Sequence, residues 1–133
     1  MKVVHTLLLA TLAATAGCGS TTTAPITTTV ETFASRVQEK GSAWRSVTVA
    51  TAGDVTVQLV SVTQADAVMR IGFGTISGPQ CVPAASIDTA ANASSIAPQL
   101  TRTAAVGTYC VSIADIGNLT QLVDFSIRIE RPF

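Results

Sequence analysis

Few side chains in this 133-residue chain could do chemistry: one histidine, three cysteines, two lysines and five aspartates among eight acidic residues. His5 is the only histidine and lies within the first 17 residues. The rest of the chain therefore cannot build a Ser-His-Asp triad, a Cys-His dyad or a His-liganded zinc site. A Ser-Lys pair would have to use Lys40 with Ser35 or Ser42. That chemistry needs a desolvated, positioned base, and polar residues in a loop ahead of the first strand do not supply one. Glycoside cleavage needs two carboxylates converging in a cleft, drawn from Asp54, Asp66, Asp88, Asp115 and Asp124. Most of these sit at turns, where an Asp hydrogen-bonds its own backbone; Asp54 beside Gly53 and Asp115 before Gly117 fit that role. Turn carboxylates and carbonyls also offer the oxygen ligands that calcium takes, so calcium is the one cofactor left open. No EF-hand or repeat spacing of aspartates is present, and no residue is assigned to a metal. Trp44 and Tyr109 have the ring area for sugar stacking, but both belong to alternating segments where aromatics fill a core.

Cys18, Cys81 and Cys110 make an odd number. An exported chain pairs its thiols or commits them elsewhere, and no C-x-x-C redox motif is present. Export is indicated by Met1 and Lys2 followed by the 14-residue apolar stretch Val3 to Ala16, ending in small residues. Two cleavage sites compete. Ala14-Thr15-Ala16 is an A-x-A site, while Thr15-Ala16-Gly17-Cys18 resembles the lipobox of bacterial lipoproteins, with Thr15 standing where that family usually has Leu. If Cys18 becomes the acylated first residue, Cys81 and Cys110 are left as one natural disulfide pair. Ordinary secretion would leave a spare thiol. The diacylglyceryl and acyl chains implied by the lipobox would provide the double anchor that a single chain does not.

Gly19 to Thr29 holds six threonines and a proline without hydrophobic periodicity, which describes a solvated tether. The expected organisation is a signal peptide over 1–17, a lipidated cysteine and tether over 18–29, and one folded domain over 30–133. Short alternating runs between turn residues in that domain predict an all-β antiparallel sandwich with one disulfide. Trp44 to Thr51 and Val55 to Leu59 flank Ala52-Gly53-Asp54 and read as a hairpin. So do the Tyr109-Val111-Ile113 and Val123-Phe125-Ile127-Ile129 runs around Asp115-Ile116-Gly117-Asn118. Gly72 and Gly74 within Ala67 to Ile76 suggest a bulge or strand end. Cys110 alternates with Tyr109 and Val111, so its disulfide should lie outside the main core and pin the Ser77-Gly78-Pro79-Gln80 loop or a neighbouring strand. Ala84 to Ala97 reads as a long connection with a short strand near Ile87.

The runs Trp44-x-x-Val47-x-Val49, Ala52-Gly53-Asp54-Val55-Thr56-Val57-x-Leu59, Val106-Gly107-Thr108-Tyr109-Cys110-Val111-x-Ile113 and Phe125-x-Ile127-x-Ile129 together resemble bacterial pre-peptidase C-terminal domains. The resemblance covers about 100 residues and implies a jelly-roll-like accessory module of secreted hydrolases, concerned with secretion, stability or substrate binding, with calcium in some relatives. No peptidase domain accompanies these runs here.

Composition narrows the function further. The chain is 47% apolar and 12% charged with zero net charge, too sparse and balanced for phosphate neutralisation, so nucleic acid is not an expected partner. It is too apolar to be wholly disordered, and no apolar run reaches the ~18 residues of a permanent span. From Cys18 onward it carries seven basic and eight acidic side chains, about minus one. The expected protein is a non-enzymatic, lipid-anchored envelope module binding a protein or polysaccharide. A purely structural surface lipoprotein is the second reading, and a hydrolase with a carboxylate pair the last. Gly19 lacks the Asp that holds many lipoproteins at the inner membrane, so the outer membrane or cell surface is expected. Open sheet edges would admit strand addition by a partner. Intact mass spectrometry of the membrane fraction checks the anchor: a chain starting at acylated Cys18 is expected, and a soluble, unmodified chain starting at Gly17 would overturn it.

Overall fold

The computed structural model describes residues 19, 23–93 and 97–133. Eight strands and no helix occur among them: β1 (Thr28–Val37), β2 (Ser42–Val49), β3 (Gly53–Val62), β4 (Val68–Ser77), β5 (Gln80–Ala90), β6 (Leu100–Ala104), β7 (Gly107–Asp115) and β8 (Val123–Pro132). They form two antiparallel four-stranded sheets with orders β1-β8-β3-β6 and β2-β7-β4-β5. Packed face to face, these make the eight-stranded jelly-roll sandwich. The alternation explains the core. Val47, Val49, Val55, Val57, Leu59, Met69, Ile71, Val111, Ile113, Val123, Ile127 and Ile129 are all buried between the sheets. Phe33 meets Phe125 edge to face, ring centroids 5.1 Å apart.

Neither expected hairpin forms. β2 pairs with β7 while β3 pairs with β6 and β8. β7 pairs with β2 and β4 while β8 pairs with β1 and β3. Both turns therefore carry the chain from one sheet to the other. The apolar period is the same in either case, because both sheets turn one face to a shared core. The one hairpin of consecutive strands is β4–β5, closed by Gly78 at φ 57° and Pro79. Strand structure continues through Ala90, so only residues 91–99 connect β5 to β6, a shorter link than Ala84 to Ala97. The first strand begins at Thr28, two residues before the expected Val30, and contains Ser35, which is not in a preceding loop.

The β4–β5 hairpin does not lie flat. Its register shifts between Phe73 and Gly74, a bulge where Gly74 pairs with Pro83 on one side and Cys110 of β7 on the other. A Cβ on Gly74 would collide with the Val82 carbonyl and sit 2.6 Å from Pro83 Cα; one on Gly72 would sit 2.9 Å from Pro83 Cβ. These two glycines let β5 fold close over the outer face of β4. Cys81 thereby reaches across to Cys110, with Cα atoms 5.7 Å apart. Cys110 is fully buried, yet its sulfur lies on the outer face, 3.3 Å from the Thr75 carbonyl oxygen, and stays out of the apolar core cluster.

Gly74→Ala should therefore cost more than about 2 kcal/mol, because the β5 backbone from Val82 to Ala84 must move. Gly78→Ala, with open space around it but a left-handed φ, should cost about 1 kcal/mol. Replacing both cysteines by Ala should cost about 3 to 4 kcal/mol in the chain-entropy account, given the 29-residue separation. Urea denaturation of the oxidised proteins checks the order of the three.

Candidate functional site

A jelly roll has two long open sides, where the outermost strands of the two sheets face each other. On one side β1 faces β2. Arg45 closes it: Nη1 donates to the Thr32 carbonyl at 2.8 Å, and the guanidinium lies 5.1 Å from the Phe33 ring centroid. On the other side β5 faces β6, and there the β5 side chains are small and Arg102 of β6 makes no bond across the gap. A groove of about 390 Å³ remains, lined by Phe73, Gly74 and Thr75 of β4, Ala84 and Ala85 of β5, Arg102 and Thr103 of β6, and Tyr109 of β7. Phe73 and Tyr109 stack with centroids 5.1 Å apart and planes at 25°.

The polar groups of the groove are mostly committed. The Tyr109 hydroxyl donates to the Ala105 carbonyl at 3.0 Å, and the Thr103 hydroxyl donates to Asp54 Oδ1 at 2.6 Å. Arg102 is different. Arg36, Arg70, Arg128 and Arg131 each pair with a carboxylate, and Arg45 holds Thr32 and Phe33. Arg102 is the one arginine among the described residues whose side chain makes no hydrogen bond, ion pair or ring contact. An apolar floor beside one uncommitted guanidinium suits a ligand with an apolar or flat body and a carboxylate- or phosphate-like group. No carboxylate, cysteine or serine lines the groove.

At one end of the sandwich the connections 38–41, 63–67 and 116–122 are tied together by side-chain hydrogen bonds. Asp115 is the centre. Its Oδ2 accepts from the Lys40 backbone N–H at 2.8 Å, and its Oδ1 accepts from the N–H groups of Gly117, Asn118 and Leu119 at 2.9, 3.0 and 3.2 Å. The Lys40 N–H contributes most to holding this carboxyl below the usual carboxylate range, the other three add to it, and partial desolvation opposes them. Asn118 uses its amide to accept from and donate to the backbone of Val68, and Gln64 joins the Asn118 carbonyl to Thr120. Gln99 does the same for β3 beyond the reach of β6: its Oε1 accepts from Leu59 N–H at 2.9 Å and its Nε2 donates to Leu59 O at 3.2 Å.

The residues singled out by sequence are scattered by this fold. Cys18 lies outside the described residues. Lys40 is exposed in a left-handed turn at φ 55°, and Ser35 and Ser42 are exposed on β1 and β2, so no desolvated base adjoins them. Asp88 is clasped by Arg70 through two hydrogen bonds of 2.6 and 2.8 Å, the first cause of its lowered pKa, and Asp124 pairs with Arg36 at 2.9 Å. Among the described residues no three His, Cys, Asp or Glu side chains gather as a metal site. Trp44 is not core. It stands 38% exposed on the outer face, flanking a small cleft with Ser42, Gln80 and Cys81. Its position is three residues from inward-facing Val47, so parity alone places it outside. Tyr109 is half-buried against the core and also faces the groove. Arg102, Ala84 and Ala85 were not singled out by sequence. Nothing in an outermost strand with few buried residues marks side chains that meet only across two sheets.

The class of protein defined here is an eight-stranded jelly-roll sandwich carrying a groove along one open side. No protein-family model matches the chain, and no curated protein matches it in sequence. Among solved structures it is similar to a Yersinia pseudotuberculosis-derived mitogen (YPM), with a TM-score of 0.53 at 13% identity, covering 77% of this chain and 86% of that one. At that identity the likeness concerns the fold alone.

The Asp115 pKa sets a pH dependence. Its folded value lies below the unfolded value of about 3.9, so the bonded carboxylate stabilises the fold fully above that pH, and the contribution is lost as pH falls through the folded value. Asp115→Asn places an amide N–H₂ against backbone N–H donors. Thermal denaturation should show a lower Tm than wild type at pH 6, with the gap narrowing below about pH 4 as the native carboxyl protonates.

Proposed function

We propose that this chain is a non-enzymatic binding module of the bacterial cell envelope, held at the outer membrane or cell surface by lipid on Cys18 and engaging a protein or polymer partner. The observation that carries the binding reading is the groove: stacked Phe73 and Tyr109 beside an arginine with which no carboxylate among the described residues pairs. Sites of 300 Å³ or more with an apolar floor and a few convergent polar groups are where ligands are held. The absence of any carboxylate, cysteine or serine from its lining favours binding over hydrolysis. The anchor rests on the signal-like segment, on the four-residue likeness to a lipobox, and on the pairing of Cys81 with Cys110, which leaves Cys18 as the odd thiol. The resemblance to pre-peptidase C-terminal domains agrees with an accessory role. The partner's contact group is anionic, a carboxylate or phosphate ester on an otherwise apolar or flat segment.

Crosslinking in the native host, followed by purification from the membrane fraction, tests this with two baits. Arg102→Glu reverses the charge at an exposed position, where surface substitutions change stability by about 0.5 kcal/mol or less. Wild type should retain one reproducible partner or polymer, and Arg102→Glu should recover at least tenfold less of it. Equal recovery by both baits would remove the groove from the proposal. Acylated bait with no partner would favour the structural lipoprotein.

A further inference from the structure

The two ends of the sandwich differ in a way that the groove does not use. Successive strands run antiparallel, so residues 23–27 and the connections 50–52, 78–79 and 105–106 share one end, opposite the Asp115 cluster. Phe133 belongs to the same end: its N–H donates to the Thr27 carbonyl at 2.9 Å, and its own carbonyl accepts from the Thr51 hydroxyl at 3.0 Å. None of these connections contains a charged side chain, and the two on the adjoining strand ends, Asp54 and Arg131, are bonded to Thr103 and Glu31. The far end carries Glu39, Lys40 and Asp66 in its connections, with Arg36, Asp115 and Asp124 on the adjoining strand ends.

Apolar exposure is greater at the same end. The three most exposed large hydrophobic side chains among the described residues, Phe133 at 70%, Val106 at 67% and Ile26 at 61%, lie there, while the Asp115 end exposes Leu122 at 56% and Ile116 at 43%. We propose that this end rests on the bilayer that holds the Cys18 anchor, with Ile26, Val106 and Phe133 entering its interfacial region. The proposal rests on the lipid-anchored reading. The step from Cys18 to the start of β1 at Thr28 is ten residues, which span at most about 36 Å. A random coil of ten residues averages less than about 20 Å from end to end. A ten-residue strand is itself about 33 Å long, so the uncharged end stays near the lipid while the Asp115 end projects away. Tethering raises the effective concentration of that end at the surface, so three apolar side chains suffice where a free chain would not bind. Without Lys or Arg in these connections, the contact is apolar and independent of salt, unlike a polybasic attachment.

The test couples the chain from Cys18 onward to a thiol-reactive lipid in phosphatidylcholine vesicles. The Cys81–Cys110 bond leaves Cys18 as the one free thiol. Trp44, the only tryptophan, sits on the outer face of the β2-β7-β4-β5 sheet and reports that face in the native protein. Phe133→Trp in a Trp44→Phe background reports the uncharged end. With brominated acyl chains the introduced indole should be quenched at least twofold at low and high salt alike, the native Trp44 by less than a tenth, and adding Val106→Ser should halve the effect. No quenching of the introduced indole, equal quenching of both indoles, or loss of quenching in high salt would overturn the proposal. So would a dimer through this end, seen by light scattering of the uncoupled chain and abolished by Val106→Ser. The chemical coupling is independent of acylation in the host, so failure here and failure of the anchor reading are separate results.

Discussion

Six of the seven connections in this domain cross from one sheet to the other, and that constraint governs everything else about it. Except for β4 and β5, every hydrogen-bonded strand neighbour is distant in sequence; β1 and β8 pair across nearly the whole domain. Neither sheet can therefore assemble as a run of local hairpins. The shared apolar layer must form as the ladders form, since it is the contact that brings distant strands into register. The valines, leucines and isoleucines of the central strands β3, β4, β7 and β8 provide that layer, and Leu119 and Ala67 cover it from the connections at one end. A fold of such high contact order gathers slowly and loses its structure cooperatively.

Against that background the one local pairing, β4 with β5, is also the one that departs from a flat sheet. Gly72 and Gly74 remove the side chains that would hold β5 away, and the Cys81–Cys110 bond ties the hairpin over β7. The bulge at Phe73 and Gly74 displaces β5 beside the residues that line the groove, and Ala84 and Ala85 leave the space unfilled. The opposite open side has a long side chain, Arg45, lying over Phe33. The groove is thus the consequence of small residues on β5 and of an arginine on β6 that, unlike Arg45, makes no bond across the gap.

Function, as proposed, is divided along the long axis of the molecule. The Asp115 end is held by side chains standing in for backbone partners, with Asp115, Asn118, Gln64 and Gln99 satisfying N–H and carbonyl groups that the ladders leave over. The uncharged end has apolar side chains and the start of the tether. The groove opens along the side between them, with an arginine at its rim. This arrangement would present the groove beside the bilayer and the loop cluster away from it.

The all-β class, the sandwich and most of its core were legible in the chain, because central strands bury alternate residues and the period of two survives any arrangement of the turns. Val55, Val57 and Leu59, or Val123, Phe125, Ile127 and Ile129, announce themselves. Parity also placed Cys110 outside the core, and cysteine number pointed to the Cys81–Cys110 pair. The strands that escaped, β1, β6 and most of β5, are outermost strands with one or two buried residues each or none, so they have no apolar period to read. Which strands pair was decided only in three dimensions, since a turn within a sheet and a step between sheets leave the same pattern. So was the groove, because Arg102 and Tyr109 acquire a common space only when β6 and β7, in different sheets, are set against β4 and β5.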